Sequence, residues 1–189
     1  MNLFNPDKRT RPQNEPPFTI GTVKTLADLY GIEYILKAVS IIKDEHKDLD
    51  ISVRISGDGP DVEKYKSLVT ELGISDITFF LGRIPQEQAA VEWANMDVAV
   101  IPSVLYESFG VAAVEAQACE TPVVISDVEG LKETTKPGES SIVVEKKNDR
   151  EIADAIIKLY NEPGLRKKMG ESGRAYVNEN FELQGSFKN

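Results

Sequence analysis

The sequence predicts a doubly wound, Rossmann-like α/β fold with a parallel sheet of about six strands and helices on both faces. Three observations predict it. Short β-branched runs alternate with helical stripes along the chain, hairpin signals are few, and the segments between runs suit right-handed βαβ crossovers.

Phe18 to Val23 reads as the first strand, and Ile32, Ile35, Leu36, Val39 and Ile42 follow at helical spacing. Ile51 to Ile55 is the second strand, with Val62, Tyr65, Leu68, Val69 and Leu72 as the next helical stripe. Ile77 to Leu81 precedes a helix near Gln86 to Ala94, and Val98 to Ile101 precedes a helix that opens at Gly110. Val123 to Ile125 leads into a loop, and Ile142 to Val144 is the last strand. Two helices close the chain, one carrying Ile152, Ala155, Ile156 and Leu159, the other running from Pro163 toward Phe181. Residues 5–17 hold Pro6, Pro12, Pro16 and Pro17 among polar side chains, which predicts an extended connection.

Composition narrows the function. The chain has 189 residues, 22 basic against 31 acidic side chains and a net charge of −9. A chain of this length folds as one domain, burying roughly 70% of its unfolded surface. The acidic balance argues against a general nucleic-acid or anionic-membrane surface, so any phosphate must be met locally. The lone Cys119 allows no internal disulfide, as expected in a reducing cytoplasm. No apolar run has membrane-spanning length, and Met1 to Thr10 lacks the apolar segment of a signal peptide.

In an open parallel sheet, ligands bind at the carboxyl ends of the strands. The first such loop, Gly21-Thr22-Val23-Lys24, pairs a glycine that admits close approach with a point charge; a turn glycine beside a surface lysine is the alternative. Gly57-Asp58-Gly59-Pro60-Asp61-Val62 fails as a dinucleotide loop. Val62 holds the third glycine position, Pro60 lacks an N–H, and two aspartates would repel a pyrophosphate. Asp61 instead reads as a helix cap or first-turn acid. Leu81-Gly82-Arg83-Ile84-Pro85 again sets a basic residue after a strand, either for a base or phosphate or simply as an exposed turn arginine.

The fourth loop runs from Pro102 to Gly110 and enters an almost wholly apolar helix, which Glu115 interrupts. The N–H groups near Phe109, Gly110 and Val111, with the positive end of the helix dipole, predict an anion site that needs no basic cluster. Glu107 stands just before the helix and Glu115 one turn inside it, so a ligand can span both. Otherwise Glu107 is a favourable charge at a helix start with Ser108 as cap, and Glu115 makes an internal salt bridge with Lys24 or Arg83. The single His46 lies in a polar run, and no cluster has metal-ligand spacing. No G-x-S-x-G elbow exists.

The stretch Glu107-Ser108-Phe109-Gly110-Val111-Ala112-Ala113-Val114-Glu115-Ala116, followed by Cys119-Glu120-Thr121-Pro122-Val123-Val124, resembles the E-x7-E signature of retaining nucleotide-sugar glycosyltransferases of family 4. Ser56-Gly57-Asp58-Gly59-Pro60, Phe80-Leu81-Gly82-Arg83-Ile84-Pro85, Asp97 to Ser103 and Asp127 to Glu133 fall in that family's order and spacing. The resemblance covers Phe18 to about Phe181.

It implies the C-terminal, donor-binding domain of a two-domain GT-B enzyme. Residues 1–17 would then be the tail of an interdomain linker, residues 18–189 the nucleotide-sugar domain, and the acceptor domain would lie outside this chain. On that analogy Phe109, Gly110 and Val111, with Ser108 beside them, meet the donor phosphate, Glu115 the ribose and Glu107 the sugar. Lys24, next to Gly21 and Thr22, takes the place of an arginine that neutralises the diphosphate, and Arg83 and Ile84 lie where the base is read. No metal or other cofactor is implied, and the isolated domain is expected to be inactive. Three positions depart from the family pattern: Tyr30 replaces a second phosphate-binding lysine, Glu120 a frequent glycine, and Ser140-Ser141 a threonine-glycine pair. A nucleotide-binding regulatory module without transfer activity is the competing expectation.

Overall fold

The computed structural model describes residues 3–105, 107 and 109–181. Six parallel strands form one sheet, β1 (Phe18–Val23), β2 (Ile51–Ser56), β3 (Thr78–Gly82), β4 (Val98–Ile101), β5 (Val123–Ser126) and β6 (Ser141–Val144). Their order is β3-β2-β1-β4-β5-β6, so the winding reverses between β1 and β4. The central strands read as unbroken apolar runs because both their faces are covered; every residue of β4 and β5 is buried.

The helices are α1 (Ile32–Glu45), α2 (Val62–Glu71), α3 (Gln86–Asn95), α4 (Val111–Ala118), α5 (Glu129–Lys132), α6 (Asp149–Asn161) and α7 (Pro163–Asn180). Phe18, Ile20, Val53 and Ile55 point into one core layer with Ile35, Leu36, Val39 and Ile42 of α1 and Ile152 and Ile156 of α6. Ala99, Ile101, Val123 and Ile125 point to the other, where Trp93 of α3, Ala113 and Ala116 of α4, and Val177 of α7 pack. Alternate residues of β4, β5 and β6 thus feed the two cores, whereas β2 and β3 contribute to the first.

Three expectations need correction. The loop after β5 contains α5, a single turn too short to show a helical period. Residues 5–17 are not simply an extended connection. Pro6–Lys8 is a 3-10 turn capped by the Asn5 side chain, and Phe4 is buried. Arg11 bonds the buried Asp97 at 3.0 Å, Arg9 donates to the Ala94 carbonyl, and Thr10 N–H donates to Asn95. The segment is thereby fastened to the α3–β4 turn. Finally, Asp61 stands at the N-cap of α2 as expected, but its side chain makes no capping bond; its carboxylate accepts the Asp28 N–H at 2.8 Å and ties the β2 loop to the β1 loop.

The end of α4 explains the sequence around Glu120. Thr121 N–H donates to the Ala116 carbonyl and Glu120 N–H to that of Gln117, a Schellman closure. It requires φ of 60° at Glu120, a left-handed conformation that costs a residue with a Cβ about 1 kcal/mol or more. Glu120→Gly is therefore expected to stabilise the fold by about 0.5–1 kcal/mol, read as a rise of about 2–4 °C in thermal midpoint; an unchanged or lower midpoint would refute the strain.

Candidate functional site

Lys24 follows β1, and the loop after β2 makes room for it. Gly57 has φ of 132°, and a Cβ there would lie 1.9 Å from the Lys24 carbonyl oxygen; at Gly59 it would lie 2.4 Å from that of Leu26. These glycines let the two loops lie against each other, joined by Lys24 N–H to Ser56 and Leu26 N–H to Asp58. Close packing, not phosphate binding, accounts for them. An open cleft of about 530 Å³ lies here, lined by Val23, Lys24, Thr25, Gly57, Asp58, Gly59, Arg83 and Ile84. Arg83 is exposed and Ile84 half-buried.

Gly21 and Thr22, expected in the same loop, are corrected to the strand interior. β1 continues to Val23, and a Cβ on Gly21 would meet Met96 and the Arg54 carbonyl within 2.8 Å. Thr22 is 1% exposed and shares the face of Ile20. Neither lines the cleft.

Across the sheet's reversal point, the loop after β4 carries Glu107, which is 7% exposed. Two backbone contacts hold the loop on α5. A Cβ at Gly130 would fall 1.6 Å from the Glu107 carbonyl oxygen, and Gly110 N–H donates to the Gly130 carbonyl at 3.1 Å. The Glu107 carboxylate receives Lys24 Nζ on Oε1 at 2.5 Å and Ser103 Oγ–H on Oε2 at 2.5 Å. Ser103 is fixed in turn because its carbonyl accepts the Ser126 hydroxyl at 2.6 Å. Lys24 Nζ also stands 4.5 Å from the centroid of the Tyr30 ring.

The expected row of open amides is modified. Gly110 adopts φ −80°, ψ 66°, and Val111 N–H bonds back to the Phe109 carbonyl at 2.9 Å, an inverse γ-turn ahead of α4. With the Gly130 bond, two of the three expected donors are thus engaged within the chain. The three-residue bond is bent and readily exchanged; the Gly110 bond is a structural tie. Phe109 and Val111 expose about 40% of their surface, and Phe109 packs edge-on to Phe181 at 5.6 Å. Ser108 lies outside the described residues.

Glu115 is half-buried on α4 and accepts the Trp93 indole N–H at 3.2 Å. No salt bridge joins it to Lys24 or Arg83 among the described residues. Burial raises its carboxyl pKa to about 7, against the opposing pull of the Trp93 hydrogen bond and the more distant Lys24 charge. Ser103, Trp93 and Tyr30 are the participants that spacing did not single out. Their partners lie 4, 22 and 6 positions away in loops and across elements, where no periodicity operates.

Among the described residues no group of three or more His, Cys, Asp or Glu side chains is placed to hold a metal ion. No helix among them is long and apolar enough to cross a membrane. A second cavity, about 440 Å³, lies at the opposite strand ends. Its Arg9 and Arg166 are already satisfied by backbone carbonyls.

A doubly wound sheet with a cation and two acids around its reversal point is an α/β domain of the class in which ligands lie at the carboxyl ends of the strands. The model for glycosyl transferases group 1 matches residues 4–176, and the chain belongs to that family. It is 36% identical over 172 residues to a D-inositol 3-phosphate glycosyltransferase of Corynebacterium jeikeium, spanning 87% of this chain and 41% of that one. Sucrose-phosphate synthase from Thermosynechococcus elongatus has the same fold with a TM-score of 0.84 and 30% identity, over 96% of this chain and 46% of that one. HepE of Anabaena, solved in complex with UDP, superposes with a TM-score of 0.81 at 20% identity, over 88% of this chain and 45% of that one. The chain therefore spans less than half the length of these relatives.

The raised pKa of Glu115 has a thermodynamic consequence. Between pH 4.5, its ordinary value, and about 7, the folded state keeps a proton that the unfolded state releases, so stability falls as pH rises through this window. Glu115→Gln removes that loss while keeping an acceptor for Trp93. Chemical unfolding is expected to find the variant more stable than wild type by on the order of 2 kcal/mol at pH 8 and equal to it at pH 4. A pH-independent difference would refute the assignment.

Proposed function

We propose that this chain is the donor-binding half of a retaining glycosyltransferase, moving a sugar from a nucleotide diphosphate sugar to an acceptor hydroxyl with its anomeric configuration kept. One observation carries the reading: Lys24 and Glu107, 2.5 Å apart, bring the loops of β1 and β4 together where the sheet reverses. Two supports stand beside it, the curated relatives named as glycosyltransferases and the UDP bound by HepE.

In this reading Lys24 turns from Glu107 to the donor diphosphate, and Glu107 turns to the hydroxyls of the sugar. The first-turn amides of α4 and the positive end of its dipole meet phosphate, with the Val111 N–H exchanging its bent bond for one to the ligand. Glu115 accepts the ribose hydroxyls, which favours its ionised form. Arg83 and Ile84 border the base. Negative charge grows on the departing diphosphate as the bond to the sugar breaks, and a fixed cation with fixed amides stabilises that charge without reorganisation. No metal is assigned a part. The acceptor side falls to the remainder of a longer protein, and this domain alone binds donor without turning it over.

A nucleotide-binding module without transfer activity is the second reading, favoured by the engagement of both Glu107 oxygens within the chain. Turnover by the full-length protein separates the two.

Titration calorimetry of this domain against UDP-, GDP- and ADP-sugars is expected to find one donor class that binds, with affinity unchanged by EDTA; binding abolished by EDTA would refute the metal-free reading. In the full-length enzyme, Glu107→Gln keeps the side chain's shape and a single acceptor oxygen but removes the charge. Turnover should drop on the order of a hundredfold while circular dichroism shows the fold retained, and undiminished turnover would overturn the role of Glu107.

A further inference from the structure

Lys24 has two holders of different kinds. Glu107 neutralises its charge, whereas the Tyr30 ring, 4.5 Å from Nζ, attracts the ammonium through its π-face and leaves the charge intact. The two also differ in what a ligand would do to them. A donor diphosphate competes with Glu107 for the Lys24 ammonium and, carrying the larger negative charge, draws it out of the ion pair. Nothing in that exchange requires Tyr30 to move.

The backbone around Tyr30 keeps the ring in place. Tyr30 ends the 3-10 turn Asp28–Tyr30, and its N–H bonds to the Ala27 carbonyl at 3.0 Å. Gly31 follows with φ of 70°, packed so closely on the β4 loop that a Cβ would sit 2.1 Å from the Pro102 carbonyl oxygen. Val104 N–H then donates to the Leu29 carbonyl at 2.9 Å. The segment bearing Tyr30 is therefore pinned on both sides to the loop that carries Ser103 and Glu107. Lys24 itself is a long, flexible side chain that loses rotamer freedom wherever it is held.

We propose that Tyr30 is a positioning residue for Lys24: its ring face holds the ammonium at the cleft once Glu107 has let go. The inference rests on the donor-binding reading above and deepens it.

The test is calorimetry on this chain with UDP, GDP and ADP, followed by the tightest-binding diphosphate and its parent nucleoside on four variants. Tyr30→Leu is expected to weaken the diphosphate about three- to tenfold and to leave the nucleoside unaffected. Tyr30→Phe, which keeps the ring face, should restore wild-type affinity. Lys24→Ala should weaken the diphosphate, and adding Tyr30→Leu to it should cost nothing more. Circular dichroism of each variant confirms the fold, and Tyr30→Met, which keeps bulk without a ring face, takes the place of Tyr30→Leu if that variant fails to fold. Loss on Lys24→Ala with none on Tyr30→Leu would overturn the positioning role alone. So would equal loss in the Phe and Leu variants, which would assign the effect to the hydroxyl, or additive losses in the double variant. Failure of all three nucleotides to bind, or no loss on Lys24→Ala, would overturn the donor-binding reading and this inference with it.

Discussion

A largely buried ion pair joins the two halves of this sheet at the carboxyl ends of its strands. Lys24 comes from the half wound as β1, β2 and β3, and Glu107 from the half wound as β4, β5 and β6. Removing two charges from water is costly, and what offsets the cost is the fit of the surroundings: Ser103 on the second carboxylate oxygen and an aromatic face beside the ammonium. A pair so placed is poor evidence for stability and good evidence for a site. It keeps a cation and an acid close together and largely out of water.

The rest of the site follows from where that pair must sit. Glycines at 57, 59, 110 and 130 are the points at which backbone runs against backbone, and each allows a loop to come near enough for the pair to form. Their meaning is therefore different from that of a phosphate-binding glycine loop, although the letters look alike. Glu115 depends on the same geometry at one remove. Its helix starts where Gly110 ties to Gly130, which leaves its carboxylate half-buried under Trp93 and hard to ionise.

Most of the fold was legible because a parallel sheet covered on both faces writes itself as apolar runs such as Val98 to Ile101 and Val123 to Ile125. The helix α5 was not, since four residues cannot display a period of 3.6. Residues 5–17 were misread because prolines mark loops, while the forces that dock them act between residues 86 apart, as Arg11 and Asp97 are. In the site, the spacing of Glu107 and Glu115 around a helix start was visible in the sequence. Their partners were not. Lys24 and Glu107 are 83 positions apart, and no local rule says that an indole from α3 will reach Glu115 or that Gly110 will give its N–H to Gly130. Gly21 is the converse case: it stands inside β1 and not in the loop after it, and its missing side chain makes room for Met96.

The contacts Gly31 on Pro102 and Val104 on Leu29 act as a gauge block between the loops of β1 and β4. Because both are made by main chain, the separation they set is indifferent to which side chains stand at positions 24 and 30. Substitutions can thus alter the reach, charge or ring at those positions while the frame holds its dimension, whereas a single residue inserted in either loop would break the frame. A different side chain at position 30 is a change of fitting on an unaltered mount.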